Sequence, residues 1–226
     1  MAIAGPAAAA LASLKPDQVT FLQSLEKAEL HAHLNGSIPI AVIQQLGKEY
    51  VNSPSSTRGD AIYATIERLI YSSAANHPWG TLRIFKHFSV KRRKRDWVSR
   101  CISPSTPEET LKLLSFQPDR LGHATFLNKE AMDTVIKNNI CVEICLNSNL
   151  LSKTVTALES HHIRQYLKEN HLIAICTDDI LPFRTSLLAE YALLLAQPPL
   201  GLGLTQDEVK GIGEMSLRAR FTMGSS

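Results

Sequence analysis

Three strand-like runs punctuate the second half of this chain, at Arg120 to His123, Ile140 to Leu146 and Leu172 to Cys176. Stretches of helical periodicity alternate with them, at Lys129 to Lys137, Glu159 to Glu169 and Thr185 to Leu195. Strands joined by helices of this length make βα units, and successive βα units build a parallel sheet. That alternation places the chain in the α/β class. Two helix starts frame it. Thr106-Pro107-Glu108-Glu109 reads as a capping box with proline at the first helical position, and its helix carries Leu111, Leu113 and Leu114. Thr205-Gln206-Asp207-Glu208 is a second box and opens the last helix.

The first hundred residues carry weaker signals. Asp17 can cap a short helix with Val19, Phe21, Leu22 and Leu25. Ala28 to Leu34 alternates like a strand and ends at Asn35-Gly36. Ser37 and Pro39 then start a helix with Ile38, Val42, Ile43 and Leu46 on one face. Asn52 to Arg58 is a turn-rich loop, and Ala61 to Ile70 fits an amphipathic helix. The Ala-rich stretch Ala7 to Leu14 lacks the positive flank of a signal peptide. Residues 1–15 are therefore expected to be a flexible end, and residues 16–226 a single domain.

Composition excludes several classes. The chain is 44% hydrophobic and 20% charged, ordinary for a soluble globular protein. No apolar run reaches the roughly 20 residues that span a bilayer, so no membrane partner is expected. Net charge is +3, yet eight Lys or Arg against Asp96 alone lie between Arg83 and Arg100, which leaves the rest of the chain acidic. A nucleic-acid binder is basic along a whole face, so nucleic acid is a disfavoured partner. The run Lys91 to Arg95 reads as a solvated loop with only Trp97 nearby to stack a base. An RNA-binding module or nuclear address built on that run is the competing reading, and salt-dependent binding would support it. Cys141 and Cys145 are roughly 13 Å apart along one strand, too far for a disulfide. With Cys101 and Cys176 they are expected to be reduced, buried thiols of a cytoplasmic protein.

Three groups of residues could carry chemistry. In His31-Ala32-His33, residues i and i+2 of a strand point to one face, so two imidazoles can hold one metal ion. Asp178-Asp179 follows the Leu172 to Cys176 run, and a cation would relieve the repulsion between adjacent carboxylates. His123 follows Leu121-Gly122 at a strand end. Each alone has a plainer explanation: unconnected polar residues, a turn or helix cap, a structural histidine. All three fall at C-terminal strand ends, where (β/α) barrels place their active sites, and that coincidence favours a metal site. His161-His162 opens a helix and reads as capping or surface residues, because neighbours on a helix do not face one another. Glu108 and Glu109 are explained by the capping box. Glu143 lies within the second strand, in an environment that sequence does not define.

Taken together, these pieces resemble the adenosine/AMP deaminase family of the amidohydrolase superfamily. The matching segments are Glu29 to Ser37, Asp119 to Ala124, Glu143 to Asn149 and Cys176 to Asp179, in the family's order. Asn35 stands where classical adenosine deaminases carry Asp, a version that looks like the N6-methyl-AMP deaminase branch. The resemblance implies a metal-dependent (β/α) barrel and hydrolytic deamination of a purine nucleoside or nucleotide monophosphate at C6. It implies zinc held by His31, His33 and Asp178. His123 would orient or deprotonate the attacking water, Asp179 would contact the attacking oxygen and the purine, and Asn35 would hold the ribose-phosphate end.

The chain also departs from the family pattern. The family carries a further zinc-ligating His, followed closely by a general-acid Glu, at a strand end that corresponds to the stretch just before Pro107. Arg100 to Ser105 contains neither residue. Leu181-Pro182 replaces a small Gly-containing turn after Asp179. Strands two to five of a full barrel need roughly 140 residues at the usual spacing. Leu34 to Pro118 supplies 85. The expected fold is thus an incomplete barrel retaining strands one, six, seven and eight, a contiguous half because strand eight neighbours strand one. Exposed edges in such a half predict poor stability or aggregation unless a partner completes it. The competing functional reading is a catalytically inactive deaminase fragment.

Overall fold

The computed structural model describes residues 2–33, 42, 44–45 and 106–220. The expectations for Asn35, the loop at 52–58, the helix at 61–70, the basic run and Arg100 to Ser105 lie outside the described residues, as does most of the helix expected after Ser37.

Three short strands form the sheet: β1 (Arg120–Gly122), β2 (Cys141–Ile144) and β3 (Ile173–Ile175). They are parallel and lie in the order β1-β2-β3. Register sets Leu121 beside Val142 and Val142 beside Ile173, and Gly122 beside Glu143 and Glu143 beside Ala174. Side chains alternate across a pleated sheet. Leu121, Val142, Ile144, Ile173 and Ile175 accordingly join the main helix-covered core, whereas Cys141, Cys145, Ala174 and Cys176 form a separate small cluster with Leu30 and Leu172. The second face is the one that carries Glu143.

Among the described residues, the segment expected to be a strand at Ala28 to Leu34 makes a single bridge, Ala32 to Asp178 in parallel. Asp178 N donates to His31 O at 2.9 Å and His33 N to Asp178 O at 3.4 Å. The segment therefore extends the sheet beyond β3. The spatial order matches the contiguous half-barrel expected of strands six, seven, eight and one.

Helices cover the core. Both capping boxes form. Thr106 accepts from Glu109 N at 3.2 Å at the start of α3 (Pro107–Leu114), and Thr205 accepts from Glu208 N at 3.3 Å at the start of α9 (Gln206–Arg218). Asn128 caps α4 (Lys129–Lys137), which has the bounds its periodicity predicts. The apolar helix α8 (Leu187–Leu195) is buried on nearly every side and packs against the N-terminal helices, β3 and α9. It begins two residues later than expected, because Ser186 is its cap and the Thr185 hydroxyl turns inward to Glu190.

Four expectations need correction. Residues 1–15 are not a flexible end: α1 (Gly5–Ser13) is a helix whose Ala7 and Ala10 are fully buried against α8. Alanine costs least to order in a helix, and its small side chain allows close helix packing. Asp17 does not cap α2 (Pro16–Ser24); it lies in the first turn, where its charge still meets the positive helix end. The run Ile140 to Leu146 stops being a strand at Ile144, and α5 (Leu146–Leu151) follows at once. A 3-10 turn (Leu158–Ser160) and α6 (Ile163–Lys168) then occupy the stretch expected as one helix, and α7 (Ile180–Phe183) follows β3.

Candidate metal centre

His31, His33, His123 and Asp178 meet at the C-terminal end of the sheet. His33 Nε2 is 3.1 Å from Asp178 Oδ1, His31 Nε2 is 3.7 Å from the same oxygen, and His123 Nε2 is 3.5 Å from Asp178 Oδ2. The donor atoms of His31, His33 and Asp178 all lie within 4.8 Å of one another. His31 and Asp178 are buried, while the His33 side chain is 41% exposed and gives the group an open side.

Backbone geometry aims two of these side chains. His123 (φ +56°) and Asp178 (φ +60°) both adopt the left-handed conformation just beyond β1 and β3. For a residue with a side chain this costs on the order of 1–3 kcal/mol, and such strain concentrates at functional sites.

Glu143 defines the tautomer of His31. Its Oε2 lies 2.8 Å from His31 Nδ1, and its Oε1 accepts from Arg120 Nε at 2.7 Å. A carboxylate only accepts, so Nδ1 carries the proton and Nε2 holds a lone pair. That Nε2 is buried and makes no hydrogen bond among the described residues. A buried lone pair aimed at a carboxylate and a second imidazole is an incomplete arrangement without a cation, and the carboxylate-imidazole relay is how proteins fix metal-binding histidines. The donor set fits a metal ion.

Neighbours hold the rest. Ser148 Oγ donates to Asp178 Oδ2 at 2.6 Å, and Asn149 Nδ2 lies 3.3 Å from His123 Nδ1. Glu29 Oε1 accepts from His31 N, and its Oε2 accepts from Thr177 N and Oγ1. Burial pushes the Asp178 carboxyl up, but the hydrogen bonds from His33 and Ser148 and the neighbouring His123 and His31 imidazoles outweigh it and hold it down to about 2. Asp178 is thus ionised. Asp179 is buried beside it at the N-terminus of α7, and its side chain makes no capping bond, so the capping explanation does not account for it. The place expected for a Gly-containing turn is the short helix α7, which ends at a left-handed Arg184.

His161 and His162 do sit at a helix start as expected, with His162 the N-cap residue of α6 and His161 Nδ1 accepting from Ile163 N at 3.1 Å, but His161 is buried and not a surface residue. Their rings stack at 4.4 Å, both are shielded, and His162 Nε2 donates to His123 O at 2.7 Å. Burial lowers His162 to about 4 and His161 to about 2, so both are neutral. The pair supports the strained turn at His123. Sequence reasoning missed this role and left Glu143 undefined. For Glu143 a signal existed: an acidic side chain inside a buried strand has to be paired.

Residues 102–223 match the family model described as adenosine deaminase. The chain belongs to the adenosine deaminase family. Within it, the chain is similar to the N6-mAMP deaminase of Arabidopsis thaliana, 35% identical over 121 residues, which cover 54% of this chain and 33% of that protein. The N6-methyl-AMP deaminase of Homo sapiens is 36% identical over 129 residues, 54% of this chain and 35% of that protein. The matched stretch thus spans about a third of each of these relatives. Among solved structures of the deaminase fold, the Arabidopsis thaliana N6-methyl-AMP deaminase in its apo form is 20% identical, with a TM-score of 0.64 over 91% of this chain and 95% of that one. The structure of the ADAL-IMP complex is 20% identical with a TM-score of 0.69, over 90% and 94%. At that identity the likeness establishes the (β/α)-barrel type of fold. No helix among the described residues is long and apolar enough to cross a membrane.

Proposed function

We propose that this chain binds zinc through His31, His33 and Asp178 and is built for hydrolytic deamination of a 6-aminopurine nucleotide of the N6-methyl-AMP type. The carrying observation is the His31 Nε2 lone pair, fixed by Glu143 and aimed at Asp178 Oδ1. Two imidazoles and one carboxylate with an open side are the donor set of a catalytic zinc site. The curated relatives named N6-methyl-AMP deaminase, and the neighbour solved with IMP, support a purine monophosphate as substrate.

When bound, zinc supplies Lewis-acid activation of water near neutral pH. The protein residues do the rest. Glu143 keeps the Nδ1 proton on His31, so its other nitrogen stays a donor to the metal. His123, held by Asn149 and His162, orients the attacking water and takes its proton. Asp179 contacts the attacking oxygen and the purine, and Asn35 holds the ribose-phosphate end. Attack at C6 and loss of the amine also require a proton at the ring nitrogen.

That requirement favours a second reading, an inactive family fragment, on one observation. The two glutamates that touch His31 are already committed. Glu143 has both oxygens engaged by Arg120 and His31, and Glu29 has both engaged by Thr177 and the His31 backbone. Neither is free to serve as the ring acid. Zinc content per chain in a gel-filtered sample, followed by amine release from N6-methyl-AMP, separates the readings. About one zinc with turnover supports the enzyme. Zinc without turnover supports the inactive fragment, and no zinc removes the metal centre.

A further inference from the structure

One amide side chain joins two helix ends. Asn147, fully buried at the start of α5, accepts from Ala7 N with Oδ1 at 3.2 Å and donates from Nδ2 to Phe183 O at 2.8 Å. An N–H on one side and a carbonyl on the other fix which way the amide faces. Ala4, at the N-cap position of α1, makes no side-chain cap bond, so a residue 140 positions along the chain supplies the cap. At its other end the same amide satisfies a terminal carbonyl of α7. The N-terminal segment grips α7 a second time: Ala4 N donates to Arg184 O at 2.9 Å, and Arg184 Nε donates to Ala2 O at 3.3 Å. A helix of one turn has no stability of its own. The four-residue α7 keeps its place through such bonds and the burial of Phe183.

These bonds lead to the centre. Asp178 and Asp179 immediately precede α7. Ser148 and Asn149, the two residues after Asn147, hold Asp178 and His123. The Asn147 N–H is itself fixed by Glu190 of α8, whose other oxygen takes the Thr185 hydroxyl just past α7. The helix α1 packs on both α8 and α5. We infer that Asn147 is a positioning residue of the proposed metal centre, and that α1, seated on it, is a strap holding α5 and α7 in the arrangement that brings Asp178 and His123 together. The inference rests on the centre proposed above. It adds a part of the chain that the adenosine deaminase match, residues 102–223, does not include. Unseating α1 leaves the buried Asn147 Oδ1 without its donor. A buried polar group without a partner is costly, so the side chain turns to find another and releases Phe183 O. The first turn of α5, with Ser148 and Asn149 on it, moves with that side chain.

Full-chain variants test this. Asn147→Leu removes both side-chain bonds, and Ala10→Leu lifts α1 off α8 without touching the centre. Val135→Ala, at a fully buried position of α4, which packs on α3, is the control for lost core stability. Zinc affinity is read by chelator competition without denaturant, and backbone amide exchange is followed at residues 180–185. Asn147→Leu and Ala10→Leu should each bind zinc about tenfold more weakly, the low end for partners outside the coordination sphere. Both should lose amide protection at residues 180–185. Val135→Ala should lower the urea midpoint yet keep the zinc affinity and that protection. A merely structural role for α1 would move the midpoint alone. Unchanged zinc affinity in either variant, or an equal loss in Val135→Ala, would overturn the inference and leave the metal centre standing. No zinc on the unaltered chain would remove the centre, and the inference with it. If Asn147→Leu does not fold, Ala10→Leu decides by the same two readouts.

Discussion

Glu143 Oε2 sits 2.8 Å from His31 Nδ1 across 112 residues of sequence, and this one contact sets which nitrogen of His31 faces the centre. Replacing Glu143 by Gln keeps the shape and removes the charge. The expected result is zinc affinity lowered about 10–100-fold, measured by chelator competition. Glu143→Ala should do more, because it removes the carboxylate partner of the buried Arg120 guanidinium, which keeps its bond to the Ala219 carbonyl. Removing one partner of a buried pair costs about 3–5 kcal/mol, which urea unfolding would register.

Glu190 gives the fold a weakness toward alkali. Its carboxyl is fully buried under α5, accepts from Thr185 Oγ1 and Asn147 N, and is lifted by burial to about 8. The folded state therefore holds a proton that the unfolded chain has released above its ordinary value near 4.5. Stability from this group is fully present below pH 4.5 and is lost as pH rises toward 8. Glu190→Gln should leave the unfolding midpoint near pH 5 little changed and raise it at pH 8 to 9. An unaltered profile on the alkaline side would refute this role.

His161 and His162 act in the opposite sense. Both are held neutral, at about 2 and about 4, so acid favours the unfolded chain below their ordinary 6.5. Each histidine costs about 1.4 kcal/mol per pH unit through that window. Between pH 4.5 and 6.5 the two histidines outweigh Glu190, and above 6.5 Glu190 acts alone. The contribution of these three groups should peak near pH 6.5. A urea-midpoint series in steps of half a pH unit checks the position of the maximum.

The docked N-terminal helix makes a separate prediction. Ala10 is fully buried, so Ala10→Leu overpacks the contact with α8. A loss of about 1–3 kcal/mol is expected. Ala9→Leu, on an exposed position of the same helix, should change little. Equal effects from both would show that the helix is not packed in solution.

Much of the fold was legible because its signals are local. The boxes at Thr106 and Thr205, the Asn128 cap and the strand periods all act within a few residues. His31, His33, His123 and Asp178 were legible because strand ends are where barrel chemistry sits, and their convergence needed only the parallel order. What escaped depends on distant partners. The pairing of Glu143 with both Arg120 and His31 cannot be read from any window of sequence. The stacking of His161 on His162 escaped for a different reason. The rule that neighbours on a helix diverge holds inside a helix, and this pair spans a junction, with His161 extended and His162 helical. The helix α1 escaped because an alanine run has no polar face to give it a period.

The bridge between Ala32 and Asp178 has a consequence for how the chain is made. The Glu29 carboxylate that secures this edge reaches Thr177, 148 residues further along. A ribosome adding about 5–20 residues per second needs roughly 7 to 30 s to cover that distance. Throughout that interval the emerging His31 and His33 lack Asp178, and for most of it they lack Glu143 as well. The centre is therefore closed by a segment made long after its first two histidines, and any metal it takes arrives after the His31 segment has waited for its partner strand.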